Sequence, residues 1–472
     1  MNEIASIAAG SSQEIVRAPF FIRGKLVDTG AVNHVSRDLG VTFASPELHL
    51  NDIVTPRTEP GPLFDVPLKE IIDFLVETGR RLDPATNPYM AECLERTART
   101  NPLPKSILEN QYKRAQGFAT RDALEFQVKA HLGDPAFLDG WVERIDPRGQ
   151  HAKIRAFPPR LVHIVAGNSP SGAMTTLCQG ALVKAVNVIK MPSSDPFTVV
   201  GILRTMADID PEHPVVKAFT AVYWRGGEEA IERPLFRPQY FDRIVGWGGG
   251  EAINNLIKYL GPGLQLISFD PKASISMIGA EALESDETME RVAEAAAADI
   301  TVFNQEACIA SRYVFAEGPR DRIDRFCEKL LARLAVDREF ATAIAPPLPA
   351  DLREEVDVLR TMGGDFRVWG RHDGAGLVIR SPEPVDFHPT NKTANVVEVG
   401  SLDEAVRYVN VATQTVGIYP ASRKESLRNA LATAGAQRIV RLGSASRNTM
   451  GAPHDAMYPL ARFVHWTVDE DI

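Results

Sequence analysis

Short apolar runs alternate with amphipathic segments through the middle of the chain. From residue 160 onward, segments with helical spacing at 171–185, 196–208 and 250–260 separate several runs that resemble buried strands. These runs are Leu161–Ala166, Val186–Lys190, Ala221–Trp224, Arg243–Val245, Leu264–Phe269 and Ser274–Ile278. Nearly continuous apolar strands separated by helices are typical of βαβ units around a parallel sheet. The pattern predicts an α/β protein.

A second alternation follows the first. Its helical patterns cover 282–300, 319–335 and 424–434, and the first of them has the acidic start that suits a helix N-terminus. Strand-like runs at Ser311–Ala316, NVVEV, TVGIYP and RIVRL lie between or after the helices, and a poorly patterned Pro-rich stretch surrounds 345–350. We therefore predict two α/β units, with the change of unit near residues 270–280.

The predicted division places the N-terminal region and the first unit in residues 1–267 and the second unit in 268–444. The tail, 445–472, is aromatic and predicted to be irregular, packing back on the first unit or lying at an oligomer interface. Three further expectations concern the first 160 residues: irregular structure or short strands over 1–60, helices over 66–82 and 104–135, and a hairpin or connector over WVERIDPRGQHAKIRAFPPR.

Charge and composition narrow the class of protein. The 472 residues carry 52 Lys and Arg against 61 Asp and Glu, a net charge of −9, which opposes nucleic-acid binding. No apolar run is long enough to span a membrane, and the N-terminus lacks a signal-peptide pattern, so a cytoplasmic enzyme is expected. The cysteines fit neither a zinc pattern nor a disulfide framework, and no other metal or P-loop motif occurs, so we expect no metal site.

Cys308, in FNQEACIASRYVF, is the candidate nucleophile. It follows the polar pair Asn304 and Gln305 and precedes a strand, so it lies on a connection, where catalytic residues concentrate. A free cysteine is more often a small buried hydrophobe. That alternative fits the other three cysteines, which lie in helical patterns.

The segment GNSPSG, residues 167–172, joins a strand to a helix. An ordinary turn with a serine cap explains it, but Asn168 there also suits an amide donor to a developing oxyanion. A different class, a serine hydrolase, would use Ser169 with His454 and an acid such as Asp455. Ser171 stands where the GxSxG elbow requires its second glycine.

Two further segments suit a nucleotide. In GWGGGEAI a strand runs into Gly246, Gly248, Gly249 and Gly250 and then into a helix, the position where a pyrophosphate binds, although a tight turn explains it equally. In NVIKMPSS, Lys190 ends a strand, where it is either a solvated charge or a partner for ribose or phosphate oxygens.

The order of these segments resembles the aldehyde dehydrogenase superfamily, closest to its LuxC-type acyl-CoA (acyl-protein thioester) reductases, over residues 140–466. The resemblance implies two Rossmann-like α/β domains, cofactor and catalytic, plus a small oligomerisation hairpin at WVERIDPRGQHAKIRAFPP. It assigns the catalytic cysteine to Cys308 and the oxyanion amide to Asn168. It assigns cofactor binding to Lys190, Ser193, Gly246, Gly248, Gly249 and Gly250.

Three positions depart from the superfamily pattern, and two of these departures help to define the expected reaction and cofactor. In ISFDPK, Ser268 occupies the position of the glutamate that activates water to hydrolyse the acyl-enzyme, and Lys272 occupies that of the following lysine. Ser193 stands where many NAD-specific members have a ribose-binding glutamate, which favours NADPH. The family's later glutamate near the nicotinamide ribose has no match in HPTNKTANVV. The resemblance thus implies NADPH-dependent reduction of an acyl thioester to an aldehyde through an acyl-cysteine on Cys308.

The resemblance also implies partners: an acyl-CoA or acyl-protein thioester, an acyl-activating ligase or transferase, and a second copy of the chain in a homo-oligomer. Three other functions stay open besides the hydrolase. They are reduction of an aromatic or short-chain thioester, CoA-acylating oxidation of an aldehyde, and a catalytically silent acyl- or partner-binding module.

Overall fold

The computed structural model describes residues 15–471, whose strands form two seven-stranded and two three-stranded sheets. In chain order the strands are β1 Val16–Arg17, β2 Phe20–Ile22, β3 Lys25–Val27, β4 Val32–Val35, β5 Thr42–Ser45, β6 Val142–Ile145, β7 His151–Phe157, β8 Arg160–Ile164, β9 Val186–Lys190, β10 Phe219–Val222, β11 Arg243–Trp247, β12 Gln265–Phe269, β13 Ala273–Ile278, β14 Ser311–Glu317, β15 Arg367–Gly370, β16 Leu377–Ser381, β17 Thr393–Val399, β18 Thr413–Tyr419, β19 Arg438–Arg441 and β20 His465–Asp471.

Helices cover and connect these sheets. They are α1 Leu50–Ile53, α2 Leu68–Arg80, α3 Pro88–Thr100, α4 Lys105–Ala115, α5 Arg121–Leu132, α6 Ala136–Asp139, α7 Pro170–Leu182, α8 Thr198–Ile209, α9 Pro214–Lys217, α10 Glu229–Leu235, α11 Gly250–Ile257, α12 Asp286–Ile300, α13 Arg320–Leu334, α14 Ala350–Met362, α15 Leu402–Ala405, α16 Lys424–Ala434 and α17 Pro459–Phe463. Short 3-10 turns add Gln116–Ala119, Ala280–Leu283, Val302–Gln305, Val406–Tyr408 and Ala421–Arg423.

The first large sheet has the order β12-β11-β8-β9-β10-β2-β3. Its five strands from β8 to β12 are parallel, and β2 and β3 add an antiparallel edge. Helices on both faces bury it, as the apolar strand pattern predicts: Val162, Val188 and Ile244 are at most 1% exposed. Because the strands are parallel, the turns after β8, β9 and β11 open at one edge of the sheet.

The second large sheet has the order β15-β16-β17-β14-β13-β18-β19 and is parallel except for its edge strand β15. Separate apolar clusters cover its two faces. The predicted boundary at 267/268 falls inside β12, the last strand of the first sheet, and β13 begins the second sheet at Ala273.

A small antiparallel sheet, β20-β7-β6, carries the hairpin predicted before β8. The prediction that the tail is irregular is wrong, because α17 and β20 occupy it and β20 pairs with β7 along seven residues from His465 to Asp471. Pairing with a distant strand leaves no local pattern that would reveal β20. The remaining sheet, β1-β5-β4, lies in the N-terminal region, where short strands are expected.

Two helical predictions need correction. The single helix expected over 104–135 is two helices, α4 and α5, separated by a 3-10 turn at Gln116–Ala119. The unpatterned stretch after 345–350 contains α14, whose only buried residue is Val356, so it lacks the apolar stripe that would have identified it.

None of the helices formed by the described residues combines the length and apolar character that a bilayer crossing requires. Within 15–471, no group of three or more His, Cys, Asp or Glu side chains is arranged to hold a metal ion.

Candidate active site

Cys308 differs from the other cysteines in its exposure. Its side chain reaches solvent, whereas Cys93, Cys178 and Cys327 are buried within helices. Burial raises the pKa of all three, that of Cys178 to about 12, so these thiols stay protonated and act as small core residues. Cys308 alone among the four is open to a substrate.

The backbone just before Cys308 adopts an unusual conformation. Phe303, Asn304 and Gln305 have φ angles of +54°, +51° and +77°, a left-handed run that costs energy for residues with a side chain. The Asn304 amide exchanges two hydrogen bonds with Thr342: Nδ2 donates to Oγ1 at 2.8 Å, and Oδ1 accepts from the Thr342 N–H at 3.0 Å. These bonds offset the strain and fix the approach of the loop to Cys308.

Gln305 anchors the same loop to the second sheet. Its Nε2 donates to the carbonyls of Ser311 at 3.0 Å and Thr393 at 2.8 Å, and its Oε1 accepts from the Thr393 N–H at 2.9 Å. The carbonyl of Cys308 accepts from Ser274 Oγ at 2.9 Å. Buried hydrogen bonds on both sides of the cysteine therefore hold its backbone.

Asn168 meets this loop from the first sheet. Its Nδ2 donates to the Glu306 carbonyl at 2.9 Å, two residues before the cysteine. Gln111 of α4 donates to the Asn168 carbonyl at 3.3 Å, and Asn101 donates to the Gly167 carbonyl at 2.7 Å. The structure thus brings Asn168 and the Cys308 loop together.

Gly167 is needed at this turn because the segment that follows β9 comes very close to it. A Cβ atom built there would lie 2.0 Å from Ser194 Oγ, which follows the Lys190 strand. The turn after β8 and the turn after β9 are therefore packed against each other.

Asp455 and Gln414 are neighbours of Cys308 that the sequence did not join to it. Gln414 Nε2 donates to Asp455 Oδ1 at 3.1 Å, and both side chains are 5% exposed. Although Cys308 reaches solvent, the protein atoms that surround its thiol desolvate it, and this desolvation and the charge of Asp455 raise the pKa of the thiol. The Gln414 side chain and the backbone N–H groups of Ile309 and Cys308 act in the opposite direction. The thiol needs a proton acceptor or a higher pH to become a thiolate.

The residues of the alternative hydrolase are not assembled. Ser169 Oγ lies 3.3 Å from Ser171 Oγ, and no histidine contacts it among residues 15–471. His454 instead sits against the stacked rings of Trp247 and Phe269, with Nδ1 3.3 Å from Asp455 Oδ1. A nucleophilic serine needs an adjacent base, and residues 15–471 supply none to Ser169.

The turn after β11 fits a diphosphate. Gly249 caps α11 without a side-chain hydrogen bond, so the first N–H groups of the helix are open. Cβ atoms built on Gly249 and Gly250 would meet nothing within 4 Å, and one on Gly248 would lie 3.0 Å from Ala252. Gly246 has a different role, because it is buried within β11 and a Cβ there would lie 2.8 Å from Leu256 of α11. It permits close packing of the helix on the sheet and does not face the site.

The Lys190 side chain is a cation that could bind an anionic or hydroxyl-bearing ligand. Its ammonium lies 5.4 Å from the centre of the Tyr223 ring, and no hydrogen bond or ion pair joins it to another residue of the described chain. Burial lowers its pKa to about 8, with Glu232 opposing the shift. A half-buried cation without a partner fits a ribose or phosphate of a nicotinamide cofactor. Ser193 lies close by and accepts the Arg37 N–H at 3.2 Å.

Comparison with solved structures defines the fold. The chain has the fold of a lactaldehyde dehydrogenase, with a TM-score of 0.72 at 14% identity over 97% of this chain and 99% of that one. An NADP-dependent glyceraldehyde-3-phosphate dehydrogenase from Bacillus halodurans, solved with NADP, gives 0.72 at 12% identity over 96% and 99%. The prediction of an aldehyde-dehydrogenase-like α/β fold is confirmed.

The family follows from the sequence match. Residues 63–466 match the model of the acyl-CoA reductase (LuxC) family, and the chain belongs to that family. It is 27% identical to the long-chain acyl-protein thioester reductase of Vibrio harveyi over 90% of this chain and 86% of that protein. It is 29% identical to the enzyme of that name from Aliivibrio fischeri over 74% and 71%. The predicted family and enzyme class, an oxidoreductase that reduces an acyl thioester to an aldehyde, are confirmed.

Proposed function

We propose that this protein reduces a long-chain acyl thioester to the aldehyde with NADPH, through an acyl-enzyme on Cys308. The observation that carries the proposal is the juxtaposition at Cys308. The one exposed thiol is held by a hydrogen-bonded loop against Asn168, on the side of the sheet where Lys190 and the open glycine turn lie. The family match agrees with that chemistry.

Acylation follows from the residues at the site. The Cys308 thiolate attacks the thioester carbonyl carbon, and its sulfur forms a new C–S bond. Asn168 Nδ2 and the Cys308 N–H donate to the oxyanion. When the oxyanion collapses, the bond to the carrier sulfur breaks and the carrier leaves as a thiolate, which takes up a proton.

The second half of the reaction needs a hydride, which bound NADPH supplies. The hydride would add to the carbonyl carbon of the acyl group on Cys308 and give a hemithioacetal. Its collapse to the aldehyde breaks the C–S bond and releases the Cys308 thiolate. Lys190, Ser193, Gly248, Gly249 and Gly250 are the residues proposed to hold the cofactor.

Exposed apolar side chains on and against the segment that carries Asp455 support a long acyl chain. Met450 and Tyr458 lie on the segment that also carries Asp455, and they are 47% and 44% exposed. Phe126 of α5, 52% exposed, packs beside Gly451 of the same segment. Exposed apolar residues on the segment that carries Asp455, a neighbour of Cys308, suit an aliphatic ligand. The named relatives are long-chain acyl-protein thioester reductases, which agrees with this choice.

The proposal extends to assembly and location. The β20-β7-β6 sheet carries Ile145, Trp466 and Val468, and Trp141 directly precedes β6. Each of the four is at least 41% exposed, and this surface suits contact with a second copy of the chain. Four free cysteines suit a reducing compartment such as the cytoplasm. An acyl-protein donor implies an acyl-activating ligase or transferase as a partner.

The test is to mix the protein with acyl-CoAs of increasing chain length, without NADPH, and to measure intact and peptide mass. We expect an acyl adduct confined to the Cys308 peptide, greatest with long chains, and released as aldehyde when NADPH is added. Cys308→Ala removes the adduct and Ser169→Ala keeps it. An adduct retained by Cys308→Ala, or transferred to the Ser169 peptide, would refute the assignment.

A further inference from the structure

The turn of the β4–β5 hairpin, residues 36–40, rests on the proposed cofactor site. The Arg37 N–H donates to Ser193 Oγ at 3.2 Å. The turn is fixed internally, because the Ser36 N–H donates to the Val41 carbonyl at 2.8 Å and Ser36 Oγ accepts from the Val41 N–H at 3.1 Å. Arg37 is therefore held at a defined place beside the β9 turn.

Aromatic packing fixes the hairpin on the large sheet. The rings of His34 and Phe43 lie 4.6 and 5.0 Å from that of Tyr223, edge to face, just beyond the end of β10. The Tyr223 ring also contacts the Lys190 ammonium at 5.4 Å. The hairpin, β10 and the Lys190 strand thus meet at one point.

Two cations, Lys190 and Arg37, lie at that point, and Glu232 is the carboxylate whose charge acts on Lys190. Arg37 is close enough for its charge to lower the pKa of Lys190. The Arg37 side chain is 80% exposed, and within the described chain its one ion pair joins it to the adjacent Asp38 at 3.0 Å. Such an exposed pair contributes little, so the guanidinium is available to a stronger anionic partner.

We propose that Arg37, with Lys190, recognises the 2′-phosphate of NADPH, and that the N-terminal hairpin therefore sets the preference for NADPH over NADH. The inference rests on the proposed use of NADPH at this site. A phosphate accepts charge-assisted hydrogen bonds from the guanidinium fork, which a ribose hydroxyl cannot match. Asp38 competes with the phosphate for Arg37, so its charge opposes binding.

Arg225 is the competing candidate, because it is exposed and lies two residues after Tyr223, in the loop that follows β10. It serves as the matched control, since it offers the same charge without contact to Ser193. Both arginines are exposed, so glutamine at either position leaves the core unchanged.

The test is calorimetric titration of the full-length protein with 2′,5′-ADP and with 5′-AMP, which differ only in the 2′-phosphate. We expect the wild-type protein to prefer 2′,5′-ADP. Arg37→Gln weakens 2′,5′-ADP binding about 10- to 100-fold with 5′-AMP unchanged, and Asp38→Asn strengthens it. Arg225→Gln leaves the ratio of the two affinities intact. In Arg37→Gln, the ratio of kcat/KM with NADPH to kcat/KM with NADH should fall by a similar factor.

The outcomes distinguish a failure of the proposed NADPH use from a failure of the Arg37 assignment. A wild-type protein that binds both nucleotides equally would overturn the proposed NADPH use and the Arg37 assignment together. A preference for 2′,5′-ADP that survives Arg37→Gln, or that disappears in Arg225→Gln, would overturn the Arg37 assignment alone. Retained 5′-AMP affinity shows that the variant is folded.

Discussion

Gln305→Ala tests whether the loop before Cys308 depends on one buried side chain. The Gln305 side chain is fully buried and makes three hydrogen bonds to the backbone of Ser311 and Thr393, at 2.8 to 3.0 Å. Alanine removes all three and leaves a cavity. At about 1 to 1.5 kcal/mol for each bond, with the cavity in addition, we expect a loss of about 3 to 5 kcal/mol.

The assay is urea denaturation, together with the rate at which a long-chain acyl-CoA acylates Cys308. Both the free energy of unfolding and the acylation rate should fall, because the left-handed backbone at Gln305 loses its anchor. Gln437→Ala is the matched control. That half-buried side chain makes one hydrogen bond, to the Val411 carbonyl at 3.1 Å, and its loss should cost about 1 kcal/mol or less.

Gln305→Glu separates the hydrogen bonds from simple packing. It keeps the size of the side chain but places a carboxylate against two carbonyl oxygens, so it should destabilise at least as much as alanine. Glutamate and alanine variants with wild-type stability and acylation rates would refute the reasoning.

Three further predictions concern charge and donors at the site. Asp455→Asn removes a charge that raises the pKa of the Cys308 thiol, so iodoacetamide should alkylate it about 3- to 10-fold faster near neutral pH; an unchanged pH profile of alkylation would contradict this. Burial lowers the pKa of Lys190 to about 8, so 2′,5′-ADP affinity, measured by calorimetry, should weaken as pH rises through 8, where the cation is lost. Lys190→Met should remove that dependence, and a dependence that persists in the variant would assign it to another group. Asn168→Ala should lower the single-turnover acylation rate about 100- to 1000-fold with the loop intact, and a rate within a few-fold of wild type would exclude the amide from the oxyanion site.

Local patterns predicted those parts of the protein that short segments determine. The predicted strand Val186–Lys190 is β9 and the predicted helix 424–434 is α16, both with unchanged boundaries. In each segment the apolar residues follow the spacing that is typical of that element. The same holds for Cys308 and Asn168. Each follows or precedes a strand, so its place at a sheet edge follows from the sequence around it.

Local patterns carry no such information where two distant segments meet. β20 is a strand because it pairs with β7, more than 300 residues earlier, and its own pattern is indistinct. Gly246 occurs in a glycine cluster that resembles a phosphate-binding turn, yet packing against Leu256 accounts for it.

The sequence by itself determined the alternation of strands and helices, the exclusion of several protein classes, and the residues capable of thiol chemistry. Only the tertiary structure decided which side chains adjust that chemistry. Asp455 and Gln414 meet beside Cys308, and Arg37 meets Ser193 from 156 residues away. The physical reason is that such contacts depend on strand order and on the docking of a hairpin. Periodicity constrains which face of an element is buried, and it does not specify which distant partner that face meets.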